Sequence, residues 1–179
     1  TTNGTVCNDR VLHLLEALPM SLSVSLDGVS ESTFRRMRGT SLARVLANIE
    51  RFREKMTQKH QELQLNFCVT KTTWHELPDY LLLALRMKTD VWVSIVTAPP
   101  RTSVFGLGHP ALQRILATLR GREGELLDLT DRLRDIWQSV LRTIENAVCD
   151  MERVRFGFGI ARAVDLADRG RLRSARAVA

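Results

Sequence analysis

Long apolar runs are missing from this 179-residue chain. A membrane-spanning helix needs roughly 18 consecutive apolar residues. The longest candidates, around Leu81–Leu85 and Val91–Val96, fall far short, so no membrane association is expected. A basic start followed by an apolar stretch and a small-residue cleavage site is also missing, and no signal peptide is read. Cysteine is scarce: Cys7, Cys68 and Cys149 are odd in number and widely spaced. That argues against a disulfide framework and against a local metal motif, and makes a reducing cytoplasm the expected compartment. Disorder-prone composition is lacking as well. With 44% apolar and 26% charged residues the chain reads as globular, one domain or one domain with an appendage.

What is present begins with charge. The net +6 comes from 26 Lys+Arg against 20 Asp+Glu. Much of the excess lies late, where Arg153, Arg155, Arg162, Arg169, Arg171, Arg173 and Arg176 face only Glu152, Asp165 and Asp168. Such a tail can neutralise phosphates. No aromatic residue follows Phe158 to stack bases, so it reads as a solvated or disordered end rather than a nucleic-acid platform.

Along the chain, helical and strand patterns alternate. Asn8 or Asp9 can cap a helix to about Leu18, carried by Val11, Leu12, Leu15 and Leu18 and stopped by Pro19. "SLSVS" (21–25) reads as a buried strand. Ser30 caps a short helix that Gly39 ends, and Thr40 or Ser41 caps a longer one with Leu42, Val45, Leu46, Ile49, Phe52 and Met56 at helical spacing. "LQLNFCV" (63–69) is the next strand, followed by a polar loop and a helix from about His75 to Met87 with Pro78 in its first turn. "VWVSIV" (91–96) is the third strand. A helix is expected from about Pro110 to Leu119. A long amphipathic one should run from Glu125 to about Met151, with a stripe of Leu126, Leu129, Leu133, Ile136, Val140, Ile144, Ala147 and Met151.

Alternation of this kind implies crossovers and a parallel sheet, whose ligands bind beyond the carboxyl ends of the strands. Polar groups collect at those ends: Ser25 and Asp27, then Thr70, Lys71, Thr72 and Thr73, then Thr97. "TTNG" at residues 1–4 looks like a further strand end. Each residue also has a plain structural role open to it, since Asp27-Gly28 is a good turn pair and strand-to-helix loops are polar in any α/β protein.

In order and spacing, "TTNG", "SLSVSLDG", "LQLNFCVTKTTWHELPDYL" and "VWVSIVTAP" resemble the second half of the radical SAM core, the ends of its third to sixth strands. The stretch to Ser25 and the short helix with Phe34, Met37 and Gly39 resemble the molybdenum-cofactor branch; the Ser-Leu-Asp-Gly tetrad followed by "FRRMRG" suits the peptide-modifying branch equally. The resemblance covers residues 1 to about 98 and implies a partial TIM-like (β/α) barrel of parallel strands, its domain drawn over residues 1–109. The helical pattern and the arginines that follow read instead as a helical extension over 110–151 and a basic, solvated or disordered tail over 152–179. It implies an enzyme that cleaves S-adenosylmethionine reductively at a 4Fe–4S cluster and generates a 5′-deoxyadenosyl radical, working with an electron donor on a small-molecule or peptide substrate. Ser25, Asp27, Arg38 and Thr97 would then be cofactor-binding, Ser25 at the methionine end or ribose, Arg38 at the carboxylate and Thr97 by its backbone at the adenine. Thr1, Asn3, Gln64 and Asn66 would face the substrate.

The chain departs from that family in having no CxxxCxxC loop and no glycine-rich segment after a second strand. Cys68 reads as an isolated core cysteine and Cys149 as a helix residue, so no metal ligands are expected within it. The expectation is a fragment of a longer reading frame, inactive alone, with an edge strand prone to aggregate. Two other classes stay open. One is a different α/β enzyme using Asp27, His75, Glu76 and His109. The other is a non-catalytic interaction module using the long helix, which suits pairing of two copies, and the basic tail.

Overall fold

The structure, a computed structural model, describes residues 1–57 and 61–176, with the side chains of 154–176 excepted. Three strands, β1 (Leu22–Ser25), β2 (Leu63–Val69) and β3 (Asp90–Ile95), form one sheet in the order β1-β2-β3, and both pairings are parallel. Six helices accompany them: α1 (Asp9–Ala17), α2 (Glu31–Arg38), α3 (Leu42–Lys55), α4 (Leu77–Met87), α5 (His109–Arg120) and α6 (Asp131–Arg176). The α/β class and parallel strands expected from the sequence are therefore observed, in an open sheet rather than a closed barrel. On the far side of β1, Thr2 makes an isolated parallel bridge to Val24, donating to the Ser23 carbonyl at 2.8 Å and accepting from the Ser25 amide at 2.9 Å. "TTNG" thus meets the sheet where a strand end was expected.

Local chemistry explains the boundaries. Asn8 Oδ1 accepts from the Val11 amide at 3.0 Å to cap α1. Ser30 caps α2 and Ser41 caps α3 in the same way, each through its hydroxyl. Gly39 ends α2 at φ 67°, a left-handed conformation open to glycine without cost. Gly4 also has positive φ, and a Cβ there would stand 2.9 Å from Val45 Cγ1, so only glycine lets the N-terminal segment lie against α3.

The long helix differs at both ends from its expected span. Residues Glu123–Leu126 form a 3-10 turn, and α6 begins only at Asp131. Thr130 Oγ1 accepts from the Leu133 amide, and Arg134 Nη2 donates to the Leu127 and Leu129 carbonyls, which holds that turn outside the helix. Leu126 and Leu129 are buried all the same, which is why they fit the apolar stripe. Downstream the backbone stays helical past Met151 to Arg176, so the segment expected as a tail continues α6; what its arginine side chains do lies outside the described residues.

A single hydrophobic cluster runs from Leu12 in α1 to Val148 in α6. Val24, Leu65, Phe67, Val69 and Val91 supply its sheet side, each 2% exposed or less. The helices supply most of the rest, joined by Leu26, Val104, Leu126 and Leu129 from the connecting segments, and the Phe67 and Tyr80 rings lie 4.6 Å apart between centroids. Among the described residues no helix is long and apolar enough to cross a membrane.

Candidate functional site on the open face of the sheet

Successive residues of a strand point to opposite faces. Alternate positions here are either fully buried against helices or half-exposed and polar. Ser23 and Ser25 on β1, Gln64, Asn66 and Cys68 on β2, and Trp92 and Ser94 on β3 share the second, open face. Register brings Ser25 opposite Asn66, and Asn66 opposite Trp92. Asn66 Nδ2 donates to Ser23 Oγ at 2.6 Å, and the Trp92 indole N–H donates to Ser94 Oγ at 2.8 Å. A parallel sheet ordinarily buries both faces under apolar cover. This one covers one face and leaves the other wet.

At the carboxyl end of that face stands an ion pair. Arg38, at the end of α2, reaches back to Asp27 Oδ2. Asp27 is buried, and its Oδ1 has no hydrogen-bond partner; neither has Arg38 Nε. Cys68 lies against Asp27. Burial pushes its thiol up, the Asp27 charge and hydrogen bond add to the rise, and Arg38 offsets part of it. It is therefore a protonated thiol beside a carboxylate rather than a nucleophile. Tyr80 is raised by burial and then by Asp27 and Cys68, with its hydroxyl buried and unpartnered.

Glu76 fixes the loop that carries Asp27. Its Oε2 accepts from the Val29 amide at 2.6 Å and the Ser30 amide at 3.2 Å, and its Oε1 from Ser30 Oγ at 2.6 Å. Burial alone would raise this carboxyl. Hydrogen bonds from Ser30, Thr33 and the two amides outweigh it and hold the group below the usual carboxylate range. A negative charge at the start of α2 also complements the helix dipole.

The expected site residues divide accordingly. Ser25, Asp27, Gln64 and Asn66 are gathered on or beside the open face, with Arg38 arriving from α2. Arg38 is paired within the chain, its Nη2 on Asp27 Oδ2. Thr97 lines a different cleft of about 280 Å³, between β3 and α6, with Val93, Ile95, Phe105 and Val140, so its side chain is not brought to Ser25. Thr1 and Asn3 are exposed, and Asn3 Oδ1 is engaged by Thr5 at 2.7 and 3.1 Å.

The threonines after β2 are structural. Thr73 Oγ1 donates to the Cys68 carbonyl at 2.6 Å, Thr70 and Thr73 hydroxyls lie 2.9 Å apart, and Thr72 meets Met37 sulfur. Of the acid-base candidates, His109 is joined to Glu152 of α6 at 3.0 Å, while His75 is exposed.

Sequence reasoning missed Cys68, Trp92 and the reach of Glu76. Period-two alternation from Gln64 through Asn66 would have put Cys68 on the open face, and the same parity marks Trp92 with Ser94. No family model, curated protein or solved structure matches the chain.

Proposed function

We propose that residues 1–109 are the C-terminal half of a radical SAM core, with the open sheet face turned toward S-adenosylmethionine and a small-molecule or peptide substrate. One observation carries this reading. Three parallel strands have their apolar residues under helices and their polar residues on an uncovered face, with unpartnered polar atoms at the carboxyl end. That is the disposition of a barrel wall whose inner surface binds ligand at the carboxyl rim.

In this reading Ser25 contributes a hydroxyl to the methionine end or ribose, donating without adding charge. Arg38 contributes Nε, its other end being held by Asp27. Thr97 acts through its backbone, its side chain being turned to the α6 cleft. The 4Fe–4S cluster does not fit the residues present. Cys7, Cys68 and Cys149 are separate, and among the described residues no group of three or more His, Cys, Asp or Glu could hold a metal ion. Its ligands therefore belong to residues outside this chain, which alone is inactive, and a cytoplasmic enzyme supplied by an electron donor is the setting proposed.

The test is anaerobic purification of the complete reading frame that contains these residues. Iron and acid-labile sulfide in equal amounts, with release of 5′-deoxyadenosine on reduction and its loss in Ser25→Ala, are expected. A reading frame without a CxxxCxxC loop, or a colourless protein that leaves S-adenosylmethionine intact, overturns the proposal.

A further inference from the structure

At the amino end of β3, a cleft of about 470 Å³ opens between the end of α4 and the start of α6. That is the size of a small-molecule site. Ala84, Leu85 and Leu133 give it an apolar wall, Ala84 and Leu133 being buried and Leu85 half-buried. Lys88, Thr89, Asp90, Thr130 and Arg132 are the polar residues that line it.

These polar residues differ in what they have left to offer. Thr89 Oγ1 donates to the Met87 carbonyl at 3.1 Å and accepts from Arg53, and Thr130 Oγ1 accepts from the Leu133 amide at 3.4 Å. Both hydroxyls therefore serve the chain itself. Asp90 and Arg132 hold each other at 2.7 Å. Lys88 is exposed, and its ammonium has no hydrogen bond or ion pair among the described residues. One positive charge is thus left uncompensated beside an apolar wall.

The backbone singles out the same residue. Lys88 ends α4 at φ 50° and ψ 44°, and among the described residues it is the one non-glycine with positive φ. Its amide closes the helix on the Ala84 and Leu85 carbonyls, a task that needs no side chain. Glycine suits this left-handed position better than lysine, because a Cβ is crowded there. Local strain of this kind concentrates where a side chain has work to do.

The ligand that matches carries one negative charge and an apolar body. An inorganic anion would leave Ala84, Leu85 and Leu133 uncovered, and a neutral or cationic molecule would leave Lys88 unanswered. A second negative charge would find Arg132 already held by Asp90. We propose that this cleft binds a small organic monocarboxylate, its carboxylate on the Lys88 ammonium and its apolar body on Leu85 and Leu133. The cleft lies at the opposite end of the strands from the Asp27–Arg38 pair, and the proposal stands without the radical SAM reading.

The test titrates the full chain with octanoate, octanamide, octylammonium and acetate by calorimetry, and maps the site from backbone amide shifts. Octanamide lacks the charge, octylammonium reverses it and acetate lacks the body. Octanoate is expected to bind about tenfold or more tighter than each of the others, the worth of one hydrogen bond to a charged group, with shifts centred on Lys88, Thr89 and Leu133. Lys88→Gly should lose this binding while keeping or raising the melting temperature, since glycine is at ease in the left-handed conformation. Lys88→Gln should lose it too, and Lys88→Arg should retain it. Arg114→Gln, at an exposed cation of α5 outside the cleft, should leave it unchanged. Octanamide or acetate binding as tightly as octanoate, octanoate binding that survives Lys88→Gly or Lys88→Gln, its loss in Arg114→Gln, or shifts centred elsewhere overturns the inference.

Discussion

The two faces of one small sheet obey different rules. Under the helices, Val24, Leu65, Phe67, Val69 and Val91 are buried to within 2% exposure, and each contributes through area removed from water, about 1.5–3 kcal/mol per side chain. On the opposite face the same strands carry Ser23, Ser25, Gln64, Asn66 and Ser94, all polar and half-buried. Apolar burial and polar display are thereby separated by strand parity. A substitution one residue along a strand moves from one regime to the other.

That contrast can be broken most forcefully from the covered side. Phe67→Ala removes a ring stacked on Tyr80 in a fully buried position and should cost about 3–5 kcal/mol, read by chemical denaturation. A loss below about 1 kcal/mol would show that the covered face is not the core. At the rim between the faces, Glu76→Gln should cost about 1.5–3 kcal/mol near neutral pH, because charge-assisted hydrogen bonds become neutral ones. The native carboxyl is held below its ordinary value of 4.5, so its contribution is fully present above that pH. It is lost as pH falls through the depressed native value, and the wild-type advantage over Glu76→Gln should shrink in acid. An advantage that grows below pH 4.5 would mean that folding raises this carboxyl instead of lowering it. On the open side, Gln64→Ala should change stability by no more than about 0.5 kcal/mol, measured by the same denaturation.

How much of this was written in the chain depends on the distance between the partners. Asn8, Ser30 and Ser41 were legible as caps because each bonds within three residues of itself. The parallel order followed from strands separated by helices, and the polar carboxyl ends from "SLSVSLDG" and its successors. The Asp27–Arg38 pair was not legible, although both residues stood out, since nothing in their spacing says that they meet each other instead of a ligand. Glu76 looked like an acid in the first turn of its own helix, yet it caps α2 across 46 residues of sequence. The apolar stripe through Leu126 and Leu129 hid the break before α6, because burial and helical spacing coincide there without a helix. Thr70 and Thr73 looked like ligand groups and instead bind the turn they belong to.

The Glu76 clamp ties the segment leaving β1 to the segment leaving β2 through a single side chain. The amide hydrogens of Val29 and Ser30 can then exchange with solvent only when the second segment lets go of the first. The two segments bordering the open face are thus joined at one carboxylate, and displacing either strains the same three hydrogen bonds.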